Sequence, residues 1–196
     1  MKTYSGILIL GLSFFFNKGL MANHSHSPLS FEWVSFVDRE SGLRAKLPHH
    51  PIEMNIDTPF QNTPPKGQLR LYSTPTSNGL FALSCFTSAT FHQSGLQKES
   101  LRVFFETILA PYFFFNPSIF KNHQTYDFQF TQSQEEKDTG SFQFTFFDQH
   151  TLKRLEGIAQ MTDKTLYTAF YIASDTEFDH DVYARFLDSI EFSERF

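Results

Sequence analysis

Eight histidines, His24, His26, His49, His50, His92, His123, His150 and His180, have the widest chemical reach in this chain. Imidazole binds metals and moves protons near neutral pH, so their spacing decides what they can do. None follows the His-x3-His pattern of one helical face, and none stands at zinc-site spacing from a cysteine. Most fall in turns, where a solvated histidine is ordinary. His24-Ser25-His26 is the exception with a mechanism. A cut after Asn23 would make His26 the third residue, and a free amine, two amides and an imidazole would then offer a square-planar nitrogen site for Cu(II) or Ni(II). A cut after Ala22 makes His24 second and His26 fourth, leaving only a weak metal candidate on a flexible tail. A hydrolase or metal-dependent enzyme is the alternative function. It requires two or more of His49, His50, His92, His123, His150 and His180, or one of them with Cys85, to meet in a pocket.

Cys85 lies in Leu80-Phe81-Ala82-Leu83-Ser84-Cys85-Phe86, apolar on both faces of a strand, where a thiol is an inert packing group. Ser84 and Ser88 lack a nucleophile-elbow pattern, and Glu135, Glu136 and Asp138 read as a solvated loop. No glycine-rich phosphate loop is present, so no catalytic residue and no cofactor are assigned. The unusual internal segment is Tyr112-Phe113-Phe114-Phe115-Asn116-Pro117. Its three consecutive Phe cannot all point to one side of a helix or strand. Tyr112, Phe113, Phe114 and Phe115 are therefore the candidate binding residues, an aromatic surface for a protein, an envelope component or a small apolar ligand. The competing reading folds the segment back to cap the sheet.

The address of the chain is written at its start. Lys2 precedes an apolar run from Ile7 to Phe16, and Gly19-Leu20-Met21-Ala22 offers a cleavage point, so residues 1–22 read as a secretory signal peptide. The run is about half of the roughly 20 residues that span a bilayer as a helix, and after processing no transmembrane anchor is expected. An uncleaved interfacial anchor is the alternative, favoured by Lys18 and the bulk of Leu20. Residues 1–22 contain Lys2 and Lys18 and no acid, so their removal takes the formal charge from −5 to −7. An acidic product disfavours a nucleic-acid partner, which needs a basic face. With a single cysteine, stability outside the cytoplasm must come from packing. The 26 Phe of the chain, 23 of them after Ala22, supply it.

Residues 23–30 read as a flexible tail and 31–196 as a single domain. Phe31 to Asp38 and Leu43 to Leu47 form an opening hairpin about the turn Arg39-Glu40-Ser41-Gly42, stopped by Pro48 and Pro51. Phe31, Trp33 and Val37 share one face of its first strand, Val34 and Phe36 the other. Asp57 to Gly67, with three prolines, is an irregular loop. Gln68 to Ser73 and Leu80 to Thr87 pair about Pro75-Thr76-Ser77-Asn78-Gly79. Capping-box spacing at Ser94-Gly95-Leu96-Gln97 and apolar residues from Leu101 to Tyr112 predict a helix. Then comes a four-stranded meander: Thr125 to Thr131, Ser141 to Phe146, Leu152 to Thr162 and Thr165 to Ala173, with Ser133 to Gly140 a charged loop and Asp163-Lys164 a tight turn. A second capping box, Ser174-Asp175-Thr176-Glu177, opens a helix with Phe178, Val182, Tyr183, Phe186 and Leu187 inward, and Ser189 to Phe192 closes the chain as a short strand. The class is α+β, an antiparallel sheet with helices packed on it.

The opening hairpin, with Trp33, Phe36 and Gly42-Leu43-Arg44-Ala45-Lys46-Leu47-Pro48, and the ending Arg185-Phe186-Leu187-Asp188-Ser189-Ile190-Glu191-Phe192 are similar to the PsbP-like superfamily. The resemblance implies an α/β/α sandwich used mostly as a non-catalytic accessory or binding module, often in exported proteins. Members bind partners as different as photosystem subunits and a nuclear GTPase, and there is no catalytic set to carry over.

Overall fold

Alternating apolar and polar side chains set the face of strands such as Ser141–Asp148, while near-continuous apolar runs at Gly79–Thr87 and Thr165–Ser174 are buried on both faces. The computed structural model describes residues 32–54, 67–88, 104–105, 126–131, 140–149, 151–162 and 164–192. Its strands are β1 (Val34–Val37), β2 (Arg44–Leu47), β3 (Ile52–Met54), β4 (Gln68–Pro75), β5 (Gly79–Thr87), β6 (Tyr126–Thr131), β7 (Ser141–Asp148), β8 (Lys153–Thr162) and β9 (Thr165–Ser174). Helix α1 (His180–Leu187) follows a 3-10 turn at Asp175–Glu177. β1 and β2 form a small sheet of their own, and the other seven strands form one antiparallel sheet ordered β3-β4-β5-β9-β8-β7-β6. The predicted meander is the run β6 to β9. Phe142, Phe144 and Phe146 all turn inward, at 8%, 2% and 0% exposure, while Gln143 between them faces solvent.

The seven-stranded sheet carries a core on each face. Leu71, Ala82, Phe86, Phe144, Phe146, Leu155 and Phe170 pack on one face with Phe104 and Phe105. On the other face Leu83, Cys85, Ala169, Phe81 and Tyr171 meet Leu43 and Leu47 of the hairpin and Phe186 of α1. Phe81 is the hub there: it stacks on Tyr171 at 4.6 Å and takes the edges of Phe186 at 5.1 Å and Trp33 at 5.9 Å. Each fully buried Phe contributes about 1.5 to 3 kcal/mol, so these rings dominate the packing.

Four expectations change. Trp33 and Phe36 both pack on the second core, and it is Val37 that turns outward. Ile52–Met54, not anticipated between prolines, pairs with β4 as the edge strand. Ser174 makes no capping bond; α1 starts later, and the Asp179 carboxylate accepts from the amides of Asp181 and Val182. The predicted last strand reduces to one bridge, Arg44 with Glu191. The first predicted helix lies outside the described residues except Phe104 and Phe105, both buried. The predicted signal peptide, the Asp57 loop up to Lys66 and the acids of the loop after β6 also lie outside them.

Candidate functional site

Among the described residues, a thiol, a carboxylate, a guanidinium and two hydroxyls meet under the β1–β2 turn. Asp38 donates its amide to the Leu43 carbonyl at 2.9 Å and accepts the Gly42 amide at 2.8 Å. Gly42 takes φ +79°, the left-handed region in which glycine is at ease. The tight turn points the Asp38 carboxylate inward, at 5% exposure, onto β4 and β5. There Oδ1 accepts the Glu40 amide at 3.0 Å and Arg70 Nη1 at 2.9 Å. Oδ2 accepts the Ser41 hydroxyl at 2.5 Å, with the Cys85 thiol more distant at 3.8 Å. The second Arg70 nitrogen pairs with Glu40. Ser41 Oγ also accepts from the Leu43 amide at 3.3 Å and from Cys85 Sγ at 3.2 Å, and the Ser41 carbonyl accepts the Tyr167 hydroxyl at 2.8 Å. Residues from the hairpin, β4, β5 and β9 thus meet in one buried polar node.

Its chemistry is that of a fastener. Burial pushes the Cys85 thiol up to about 12, against a smaller pull from the Ser41 hydrogen bond, so it stays protonated at neutral pH. The expected inert thiol is buried as foreseen, but its surroundings are polar on the turn side. Every Asp38 oxygen is taken by an internal donor, which is how a buried carboxylate is made tolerable. On the opposite face Ser84 and Thr168 share a buried hydroxyl pair at 2.6 Å.

Among the described residues only His49, His50 and His180 are histidines, and they join no metal-binding group. His49 Nε2 lies 2.6 Å from the Pro75 carbonyl at the far end of β4, and His180 packs its ring on Phe178 at 4.9 Å. Among the described residues no three of His, Cys, Asp and Glu form a metal-binding group. His24, His26, His92, His123 and His150 lie outside those residues, as do Tyr112, Phe113, Phe114 and Phe115. Among the described residues no helix is long and apolar enough to cross a membrane.

Asp38, Ser41, Arg70 and Tyr167 are not among the candidates expected from the sequence. A signal was present in Asp38-Arg39-Glu40-Ser41-Gly42: an acid ending an apolar strand, with Ser three residues on, is poised to bond its own turn.

A seven-stranded antiparallel sheet, faced on one side by a hairpin and a C-terminal helix, defines an α+β fold of the PsbP-like type. Among the solved structures it resembles is the solution structure of cyanobacterial PsbP (CyanoP) from Synechocystis sp. PCC 6803, with TM-score 0.51 and 7% identity, covering 87% of this chain and 99% of that one. At that identity the likeness is one of fold. No protein-family model and no curated protein matches the sequence.

Proposed function

We propose that this protein is an exported, non-catalytic binding or accessory module that recognises a protein or envelope component, or a small apolar ligand. The carrying observation is the polar node. The one described constellation with a thiol, a carboxylate, a guanidinium and two hydroxyls holds the hairpin to the sheet through internal hydrogen bonds, and its thiol is held protonated. The PsbP-like fold supports the same reading, as does an N-terminus with the pattern of an export signal. The aromatic run Tyr112-Phe113-Phe114-Phe115 is the proposed recognition surface, because three adjacent Phe cannot all be packed to one side.

The test is a pull-down with the tagged mature protein from its native envelope, beside a variant with Phe113, Phe114 and Phe115 changed to Ser. The reading expects a partner retained by the parent and lost by the variant. An unchanged partner list removes the aromatic run as the surface, and capture of nothing by the parent removes the module reading.

A further inference from the structure

We propose that the free edge of β1 accepts an extended acidic segment of a protein partner as a third strand. The inference rests on the binding-module reading and assigns it a second, independent surface. The register of the hairpin fixes which backbone groups are available. Asp38 donates to Leu43 at 2.9 Å, so Asp38 and Leu43 are a hydrogen-bonded pair. Alternation along an antiparallel ladder makes Phe36 with Ala45 and Val34 with Leu47 bonded pairs too. Ser35 with Lys46 and Val37 with Arg44 are then the non-bonded pairs, whose N–H and C=O groups point away from each other.

On the β2 side that outward edge is taken. Arg44 donates to the Glu191 carbonyl at 2.9 Å and accepts its amide at 3.0 Å, and the Lys46 amide reaches Ser189 Oγ at 2.9 Å. On the β1 side none of the described residues bonds to the main chain of Ser35 or Val37. Both residues are exposed, Val37 at 49%. An unpaired, exposed strand edge is a template for strand addition.

Charge selects the occupant. The outer face of the hairpin consists of Ser35, Val37, Arg44 and Lys46, with exposed Arg39 in the adjoining turn. Of the nearby acids, Glu40 is held by Arg70 and Glu191 sits 3.7 Å from Arg44, while Glu32 lies two residues before β1. A third strand would lie roughly 10 Å from β2, two strand spacings, within joint reach of Arg44 or Lys46 and an incoming carboxylate. The molecule as a whole carries −5, so a second copy is repelled overall while an acidic segment meets local positive charge.

The probe is a blocked octapeptide of alternating Glu and Thr, titrated into the mature protein by calorimetry. Three comparisons accompany it: the peptide N-methylated at alternate amides, its Lys-for-Glu counterpart, and the acidic peptide with Val37→Pro or Lys46→Glu protein. Val37→Pro removes only an outward-facing donor, which edge strands tolerate. Expected are salt-sensitive binding by the parent, at least tenfold weakening by N-methylation and by Val37→Pro, about fivefold weakening by Lys46→Glu, and none detected for the Lys peptide. Should Val37→Pro fail to fold by circular dichroism, the N-methylated peptide and Lys46→Glu decide the matter. Absence of binding to the parent, or equal binding of the N-methylated or Lys peptide, overturns the proposal. A dimer in sedimentation that Val37→Pro dissolves gives the edge to a second copy and also overturns it. If the peptide fails while the envelope pull-down still yields a partner dependent on Phe113 to Phe115, the β1 edge is refuted and the module reading stands.

Discussion

At the scale of single residues, the node under the hairpin turn is where a small change has the largest effect. Asp38→Ala would strip the Arg70 guanidinium of its buried partner and leave the Ser41 hydroxyl without an acceptor. Breaking a buried charged pair on one side costs roughly 3 to 5 kcal/mol; because Arg70 keeps Glu40, we expect about 3 kcal/mol in guanidinium unfolding. Replacing both partners, Asp38→Leu with Arg70→Met, should cost less than Asp38→Ala alone, and a larger loss in the double variant would contradict the node as described. Cys85 gives a pH signature. Burial raises its folded value from 9.0 to about 12, so the proton is bound more tightly in the folded state. Its contribution is fully present below about pH 9 and is lost as pH climbs towards 12. Stability should therefore fall over that alkaline window, and less steeply in Cys85→Ala. Little of this node was visible in the sequence, because its members stand far apart: Arg70 is 32 positions from Asp38, Cys85 47, and Tyr167 126 from Ser41. Periodicity reports which face a residue occupies and is silent about which distant strand lies opposite.

At the scale of elements, alternation and capping chemistry carry different amounts of information. The Phe of β7 declared their face because a strand buried on one side leaves no other register. β3 was missed because Pro48 and Pro51 read as a stop, yet proline before a short edge strand removes no ladder bond. The capping box at Ser174 misplaced the start of α1 by one turn, since Ser174 Oγ pairs with Thr176 Oγ1 and Asp179 does the capping. Asp179→Ala should therefore destabilise by about 1 kcal/mol, while Asp179→Ser retains most of the cap. Chemical denaturation of the two variants separates them, and equal loss from a Ser174→Ala control would count against the assignment. In β8, Gly157 has a packing reason that composition could not show. A Cβ there would lie 2.4 Å from the Ala169 carbonyl oxygen, 2.6 Å from Phe170 Cβ and 2.8 Å from the Phe144 ring. Overpacking of that kind costs about 1 to 3 kcal/mol, so Gly157→Ala should lower stability by that amount, against no change for Gln143→Ala on the exposed face.

At the scale of the whole molecule, the consequence to be tested is that two cores share one sheet. The class, a mostly antiparallel sheet with helical cover, was legible from Phe alternation. The strand order was not, because β5 and β9 meet at the centre through residues such as Ser84 and Thr168, 84 positions apart. Those two strands feed both faces at once: Phe86 and Phe170 enter one core, Phe81 and Tyr171 the other. Opening either core therefore withdraws the support of strands on which the other depends, which makes the described fold one cooperative unit. Phe144→Ala empties one core and Phe186→Ala the other, each at a site exposed 2% or less. Either should cost about 3 to 5 kcal/mol, equivalent in a chain of this size to a fall in melting temperature of order 10 °C. Both should move a single calorimetric transition, and reductant should not shift it, since the lone cysteine closes no internal disulfide. Two resolved transitions, with Phe144→Ala moving one and Phe186→Ala the other, would show that the faces unfold separately and that β5 and β9 do not couple them.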